Sequence, residues 1–386
     1  MSPPTRAGAA CACCLRRSWL LAQLAGPLDC NCRADGRLIE LLGLRDKQLI
    51  AALGGRRRAE LRAAYAGFSP SELAGRAAVV EICRHDRRYP PALHDPIAPA
   101  TLFVTGDAQR LVRLTKGPVV ALVGTTRATD YGIELAGGIA RGLAASGLTV
   151  VAELADGIAR AALEGAVQAR GTAIAVLSAG ADMPPPARRR ELLRRVEHEG
   201  AAVSELPCGT AARRWSRAAC ARIVAALAEL TIVVEADDTP RELAPARIAS
   251  SLGRQVAAVP GRVTSRASRG TNALLGDGAR LVRDASDVLD LLGGVGAQAG
   301  KGRVAPPWAG DGLESRLGEV LERVGAGEDT PQKLTRAGED AGELLQALSE
   351  LELLGRLTRG AGGRYVPRIA SDAALARYSS ARQMEP

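Results

Sequence analysis

Five cysteines crowd the N-terminus: Cys11, Cys13, Cys14, Cys30 and Cys32. Cys11 and Cys14 have the C-x-x-C spacing at which two thiolates reach one metal ion, and Cys30 with Cys32 offers a second pair. Four thiolates suit tetrahedral zinc, although C-x-C is tighter than the usual knuckle. The alternative is a set of reduced thiols on a helical segment. A disulfide framework belongs to short secreted chains rather than to one of 386 residues. Cys83, Cys208 and Cys220 stand alone in the sequence.

A second candidate is Val119-Val120-Ala121-Leu122-Val123-Gly124-Thr125-Thr126-Arg127. An apolar strand ends in Gly-Thr-Thr, and a helix starts after Asp130-Tyr131-Gly132. Glycine admits close backbone approach, and the free amides of the next helix carry the positive end of its dipole. That combination suits a phosphate, of a nucleotide or of a nucleic-acid backbone. It is also a common way simply to turn a chain. Loops 153–157, 178–182 and 205–209 leave strand ends in the same manner, as does Pro260-Gly261.

These loops need a frame that brings them together. Short apolar runs rich in Val, Ile and Ala recur at 119–123, 148–152, 173–177, 201–204, 232–235 and 256–259. Helical stretches fall between them at 133–146, 158–170, 187–199 and 217–228. Strands alternating with helices predict a mostly parallel, doubly wound sheet covered on both faces. Its ligand site lies beyond the carboxyl ends of the strands.

The chain divides around this core. Residues 1–78 read as a small helical (SAM-like) domain, with Leu38, Leu41, Leu42, Leu49, Leu53, Leu61 and Tyr65 at helical spacing. Residues 79–293 form the core, 294–312 a Gly/Ala/Pro-rich linker, 313–368 a winged-helix-like unit of three helices and a hairpin, and 369–386 a polar tail. The net charge of +9 favours an anionic partner. A basic, arginine-rich composition is the other reading of that charge. No apolar run approaches the roughly 18 residues of a membrane span, so the chain reads as cytoplasmic. Only 3% of residues are aromatic, which leaves the packing to Ala, Leu and Val.

The core residues resemble one family. Tyr89-Pro90-x-x-Leu93, Leu102-Phe103-x-x-Gly106, Val123-Gly124-Thr125, Ala128-Thr129-x-Tyr131-Gly132 and Leu154-Ala155-x-Gly157-Ile158 follow, in order, the pattern of the DprA/Smf DNA-processing proteins. So do Ser204-Glu205-x-Pro207, Arg222-Ile223-Val224-Ala225, Val233-Val234-Glu235-Ala236, Ala258-Val259-Pro260-Gly261 and Gly270-Thr271-Asn272. The resemblance implies an extended Rossmann-like core that binds single-stranded DNA, forms a homodimer and helps load the RecA recombinase during transformation. It implies no cofactor and no chemical reaction. Carried onto this sequence, the DNA-binding rim would comprise Gly124, Thr125, Arg127, Gly157, Gly180, Ser204, Arg222, Gly261 and Asn272.

The departures from that pattern fall on polar positions. Thr126 stands where the family has Arg, and Glu153, Ala159 and Leu163 replace a Gly, an Asp and a His. Cys220-Ala221 replaces Arg-Asn before Arg222, and Pro240-Arg241 replaces Ser-Gly. Glu153 and Asp156 put carboxylates near a rim that should meet phosphate. A diverged scaffold without DNA binding is therefore a second reading. Compensating cations would be Arg188–Arg190, Arg194, Arg195, Arg213, Arg214, Arg262, Arg266 and Arg269; a solvated face is the other reading of the same residues. Trp215 could stack on a base or pack inside. In the C-terminal unit the third helix begins Glu339-Asp340-Ala341-Gly342-Glu343, which suits protein contact better than a DNA groove. Its basic wing, Arg356, Arg359 and Arg364, favours DNA. A third reading is an enzyme of the LOG-like nucleotide-hydrolysing group. The Pro-Gly-Gly-x-Gly-Thr loop of that group is absent, and His85, His94 and His198 lie outside the rim loops. Glu235 ends a strand and could act as a base, but the family it resembles keeps a Glu there without known catalysis.

Overall fold

The computed structural model describes residues 10–31, 37–73, 79–93, 95, 97–296, 315–325, 328–335, 340–359 and 364–367. His94, Cys32, Glu339, the tail 369–386 and most of the expected linker lie outside the described residues.

Five helices come first: α1 (Ala12–Gln23), α2 (Ala25–Asn31), α3 (Arg37–Gly43), α4 (Asp46–Leu53) and α5 (Arg58–Gly67). Their leucines converge, as the spacing predicts, and Leu20, Leu28, Leu49 and Ile50 are almost fully buried. The Trp19 and Phe68 rings meet with centroids 5.6 Å apart.

The core strands are β1 (Val80–Cys83), β2 (Thr101–Gly106), β3 (Val119–Val123), β4 (Thr149–Glu153), β5 (Ala173–Leu177), β6 (Ala201–Ser204), β7 (Leu230–Val233), β8 (Gln255–Ala258) and β9 (Arg280–Leu281). The helices between and after them are α6 (Ala108–Leu114), α7 (Asp130–Ala145), α8 (Ile158–Gln168), α9 (Ala187–Glu199), α10 (Arg214–Leu227), α11 (Ala244–Ser251), α12 (Arg269–Gly276) and α13 (Ala285–Gly296). The nine strands make one sheet in the order β1-β2-β6-β5-β4-β3-β7-β8-β9. β6 through β9 run parallel, whereas β1 and β2 pair antiparallel on one edge. The doubly wound, mostly parallel architecture expected from the sequence is the one observed. The antiparallel pair and β9 were not expected: β1 carries Glu81 within its four residues, β2 is bounded by Thr101 and Thr105-Gly106, and β9 has only two residues.

The period-two pattern of each strand divides the core. Val120 and Leu122 face Ala136, Ile139 and Leu143 of α7, while Val119, Ala121 and Val123 join Ile223 of α10 and Ala246 of α11. Both faces are therefore apolar, as a parallel sheet between two helical layers requires. From β3 the chain steps outward to β4, β5 and β6, then crosses back so that β7 lies on the other side of β3. The strand order reverses between β3 and β7, and the crevice at their carboxyl ends is where such folds place a ligand.

The C-terminal unit has α14 (Ser315–Gly325), α15 (Pro331–Leu334), α16 (Ala341–Leu353) and an antiparallel ribbon of β10 (Leu357–Arg359) and β11 (Tyr365–Pro367). It docks on α7. Asp329, fully buried, pairs with the buried Arg141 of α7 and also accepts from Lys333 at 3.2 Å and Arg364 at 3.3 Å. Lys333 and Arg364 reach Glu134 of α7 at 2.9 and 3.5 Å. Arg356 is buried, and Arg359 lies over the Tyr365 ring at 5.6 Å from its centroid. Arg356 and Arg364 of the expected basic wing are thus engaged within the chain.

Removing one partner of a buried ion pair leaves the other charge uncompensated. Asp329→Ala is expected to cost on the order of 3–5 kcal/mol. The check is a lowered unfolding midpoint in thermal or urea denaturation, with Lys333→Ala, itself part-exposed and leaving Asp329 still paired with Arg141 and Arg364, costing much less.

Candidate nucleic-acid interface

The switch-point crevice is filled by the protein itself. Glu235 follows β7 and is almost fully buried. Its carboxylate accepts from the Thr129 amide at 2.9 Å and the Thr129 hydroxyl at 2.6 Å, at the N-terminus of α7. The Thr129 hydroxyl in turn accepts from the Gly132 amide at 3.2 Å. A Cβ on Gly132 would overlap the Glu235 carboxylate, so glycine is required there by close approach. The phosphate position read from the Gly124–Gly132 sequence is therefore held by an internal carboxylate. A helix N-terminus attracts any anion, and Glu235 is permanently at hand. Both of its oxygens are engaged by the start of α7.

The same holds at α10. The Trp215 amide, in its first turn, donates to Asp29 of α2 at 2.9 Å. Trp215 itself is buried, so it packs rather than stacks on a base.

Most residues carried over from the resemblance lie beneath the rim and shape it. Thr125 donates its amide to the Glu235 carbonyl at 2.7 Å and its hydroxyl to Glu242 at 3.2 Å. Gly124 lies beside Glu235, with no room for a Cβ. Gly157 has φ +71, a left-handed value, and a Cβ there would strike the Thr125 carbonyl. The Ile158 amide donates to that carbonyl at 3.2 Å, so the loops after β3 and β4 are locked together. The buried Gly180 amide donates to the Thr210 carbonyl at 2.8 Å, tying the β5 loop to the β6 loop. Ser204 is fully buried and donates to the Ala179 carbonyl at 2.6 Å. The Asn272 side chain accepts from the Gly261 amide and donates to its carbonyl, at 3.2 and 3.1 Å.

Arg222 requires a correction. It is buried on α10 and ion-paired with the buried Glu205, so it cannot face a ligand on the rim. The sequence places it near a strand end, but the helical turn aims it into the protein. The cysteine pairs need one as well. Cys11 and Cys14 do converge, but with Cys13 and His85 rather than with Cys30, which is exposed on α2 and stands outside the group. Cys32 lies outside the described residues.

What faces outward is rich in cations, with Asp130 and Asp238 exposed among them. Arg127 after β3, Arg214 at the start of α10, Arg262 after β8 and Arg269 at the start of α12 are exposed, and their side chains hold no hydrogen bond or ion pair among the described residues. Arg217 and Arg241 are exposed too. All six stand at the carboxyl-end rim. The arginines of α9 are largely committed: Arg188 pairs with Asp156 at 2.6 Å, Arg189 donates to the Leu154 carbonyl at 2.5 Å, Arg194 pairs with Glu191 and Arg195 donates to the Val167 carbonyl. Asp156 is thereby neutralised.

Glu153, at the end of β4, has no side-chain hydrogen bond among the described residues. Burial pushes it up to about 7, against the pull of Arg217, Arg189 and Arg241.

Tyr131, part of the Thr129-x-Tyr131-Gly132 motif, stands on the same rim. It is 56% exposed, in the first turn of α7, four residues from Arg127. Among the described residues it is the only large exposed aromatic. The scarcity of aromatics in the chain was the available signal. Val263, 87% exposed, caps the loop after β8 beside Arg262.

The match to known proteins agrees with this geometry. Residues 81–293 match the family model of DNA recombination-mediator protein A. This chain belongs to that family. It is 36% identical over 298 residues to a DNA processing protein DprA of Mycobacterium tuberculosis, covering 76% of this chain and 75% of the relative. It is 31% identical to protein Smf of Escherichia coli K12, over 71% of this chain and 74% of that one. Among solved structures, DNA processing protein A from Streptococcus pneumoniae superposes with a TM-score of 0.58 at 28% identity, covering 72% of this chain and 95% of that one. Among the described residues no helix is long and apolar enough to cross a membrane.

Two outcomes follow for stability. Arg222→Ala strands the buried Glu205 and should cost on the order of 3–5 kcal/mol, so any loss of function in that variant must be read beside its unfolding curve. Glu153 has a folded value raised above its unfolded one, so its contribution to stability is present below about 4.5 and lost as pH rises through about 7. Glu153→Gln should therefore stabilise the protein at pH 8 and cease to do so at pH 4, as read from denaturation midpoints at the two pH values.

Proposed function

We propose that this member of the recombination-mediator family binds single-stranded DNA along the outer rim of its parallel sheet. The observation that carries the reading is the set of exposed arginines, Arg127, Arg214, Arg262 and Arg269, left without side-chain partners among the described residues on the segments that follow β3, β6 and β8. Phosphate neutralisation by such groups supplies sequence-independent affinity. Tyr131 adds a ring face beside Arg127, on which a base from a single strand can stack. A duplex hides its base faces, so this pairing favours the single strand. Because Glu235 and Asp29 hold the helix N-termini, the strand lies across the rim rather than within the crevice. The role of the complex is to present the strand to the RecA recombinase, with the protein acting as a homodimer. Family membership supports both of these statements.

The test is fluorescence anisotropy with labelled oligo-dT at low and moderate salt, against matched duplex. Salt-sensitive binding that prefers the single strand is expected. Arg127→Ala and Arg262→Ala should each weaken binding and lower the salt slope by about one. Tyr131→Ala should cost roughly 1–3 kcal/mol with the slope unchanged. Glu153→Gln should bind more tightly than the parent at pH 8, the gain fading at pH 6 as the parent carboxyl takes up its proton through about 7. No binding by folded protein at low salt would favour the protein-interaction scaffold. RecA filament formation on the same oligonucleotide and the mass in solution then test the two partners.

A further inference from the structure

Three thiols and an imidazole meet where the N-terminal helices touch the sheet edge. The ligand atoms of Cys11, Cys13, Cys14 and His85 all lie within 4.8 Å of one another. The Cys11 Sγ is 3.2 Å from the Cys13 Sγ and 3.3 Å from the His85 Nδ1, which is 3.4 Å from the Cys14 Sγ. Around tetrahedral zinc, with bonds of about 2.3 Å to sulfur and 2.0 Å to nitrogen, neighbouring ligand atoms stand roughly 3.5–3.8 Å apart. Small rotations of these side chains reach that spacing.

The backbone prepares the group from two sides. Cys11 is the extended residue before α1, and Cys13 and Cys14 sit in its first turn. His85 lies in the turn after β1, closed by the Asp86 amide donating to the Cys83 carbonyl at 2.8 Å. The Cys83 Sγ accepts from the Cys11 amide at 3.4 Å and holds that residue from behind. Burial does not explain the convergence, because Cys13 and His85 are both exposed. It joins residues 74 positions apart, Cys11 and His85, through their side chains.

We infer that Cys11, Cys13, Cys14 and His85 form a structural zinc site that fastens α1 to the end of β1. Binding deprotonates the three thiols and uses the neutral imidazole through Nδ1, so three protons leave per ion and the site empties in acid. All four positions are taken by protein, which is the closed arrangement of a structural rather than a catalytic ion.

The experiment uses the full chain, purified under reducing conditions without a polyhistidine tag. Elemental analysis should find about one zinc per chain, and cobalt replacement should give the visible bands of a tetrahedral thiolate site. His85→Ala and Cys13→Ser, both at exposed positions, should weaken zinc binding by at least about tenfold against a chromogenic chelator while the circular dichroism spectrum is kept. Zinc-free, folded protein that takes up neither metal would overturn the inference. Full retention of zinc by either folded variant would overturn the ligand set. If His85→Ala does not fold, Cys13→Ser and the cobalt spectrum of the parent protein carry the decision.

Discussion

The contact between Glu235 and the N-terminus of α7 organises the centre of this protein. A parallel sheet with helices on both faces leaves a crevice where strand order reverses, and the helix dipole makes that crevice attractive to anions. Here a buried carboxylate fills it. The rest of the local chain answers to that choice: Thr129 supplies two donors, Gly132 leaves the space, and Thr125 takes the Glu235 carbonyl. Gly157 then lets the next loop close over Thr125. The result is a rigid floor.

On that floor, the proposed DNA contacts are made by side chains rather than backbone amides. Arginines on loops can meet phosphates at variable spacing, as a flexible single strand demands, whereas a cradle of amides selects one phosphate geometry. The polar positions where this chain departs from its relatives are consistent with such a surface. Asp156 is neutralised by Arg188, and Glu153 is raised toward neutrality by burial. The two carboxylates that read as repulsive in the sequence therefore contribute less negative charge than their number implies.

The flanking units are bound to the core by polar contacts at defined points. Asp29 joins α2 to α10, Asp329 joins the C-terminal unit to α7, and the Cys11–His85 cluster joins α1 to β1. Continuous apolar contact runs beneath these points, from the N-terminal leucines through α7 to α14 and α16. Apolar packing supplies the area, and the charged contacts set which face meets which.

The alternation of Val-rich runs with amphipathic helices determined the doubly wound sheet, because burial on both faces imposes a local composition that can be read residue by residue. The strands 119–123, 173–177 and 201–204 were legible to the residue. The ordered motifs likewise pointed to the family that the comparisons show. What tertiary structure alone decided was direction and company. Arg222 and Ser204 carry the right chemistry for a rim but point inward, because a helix turns 100° per residue and a strand alternates faces. Glu235 looked like a free carboxylate until α7 was laid against it, and Tyr131 gained meaning only from its exposure. Cys11 met His85 rather than Cys30 because α1 returns to the edge of β1, a contact between segments whose separation along the chain hides it from any local pattern.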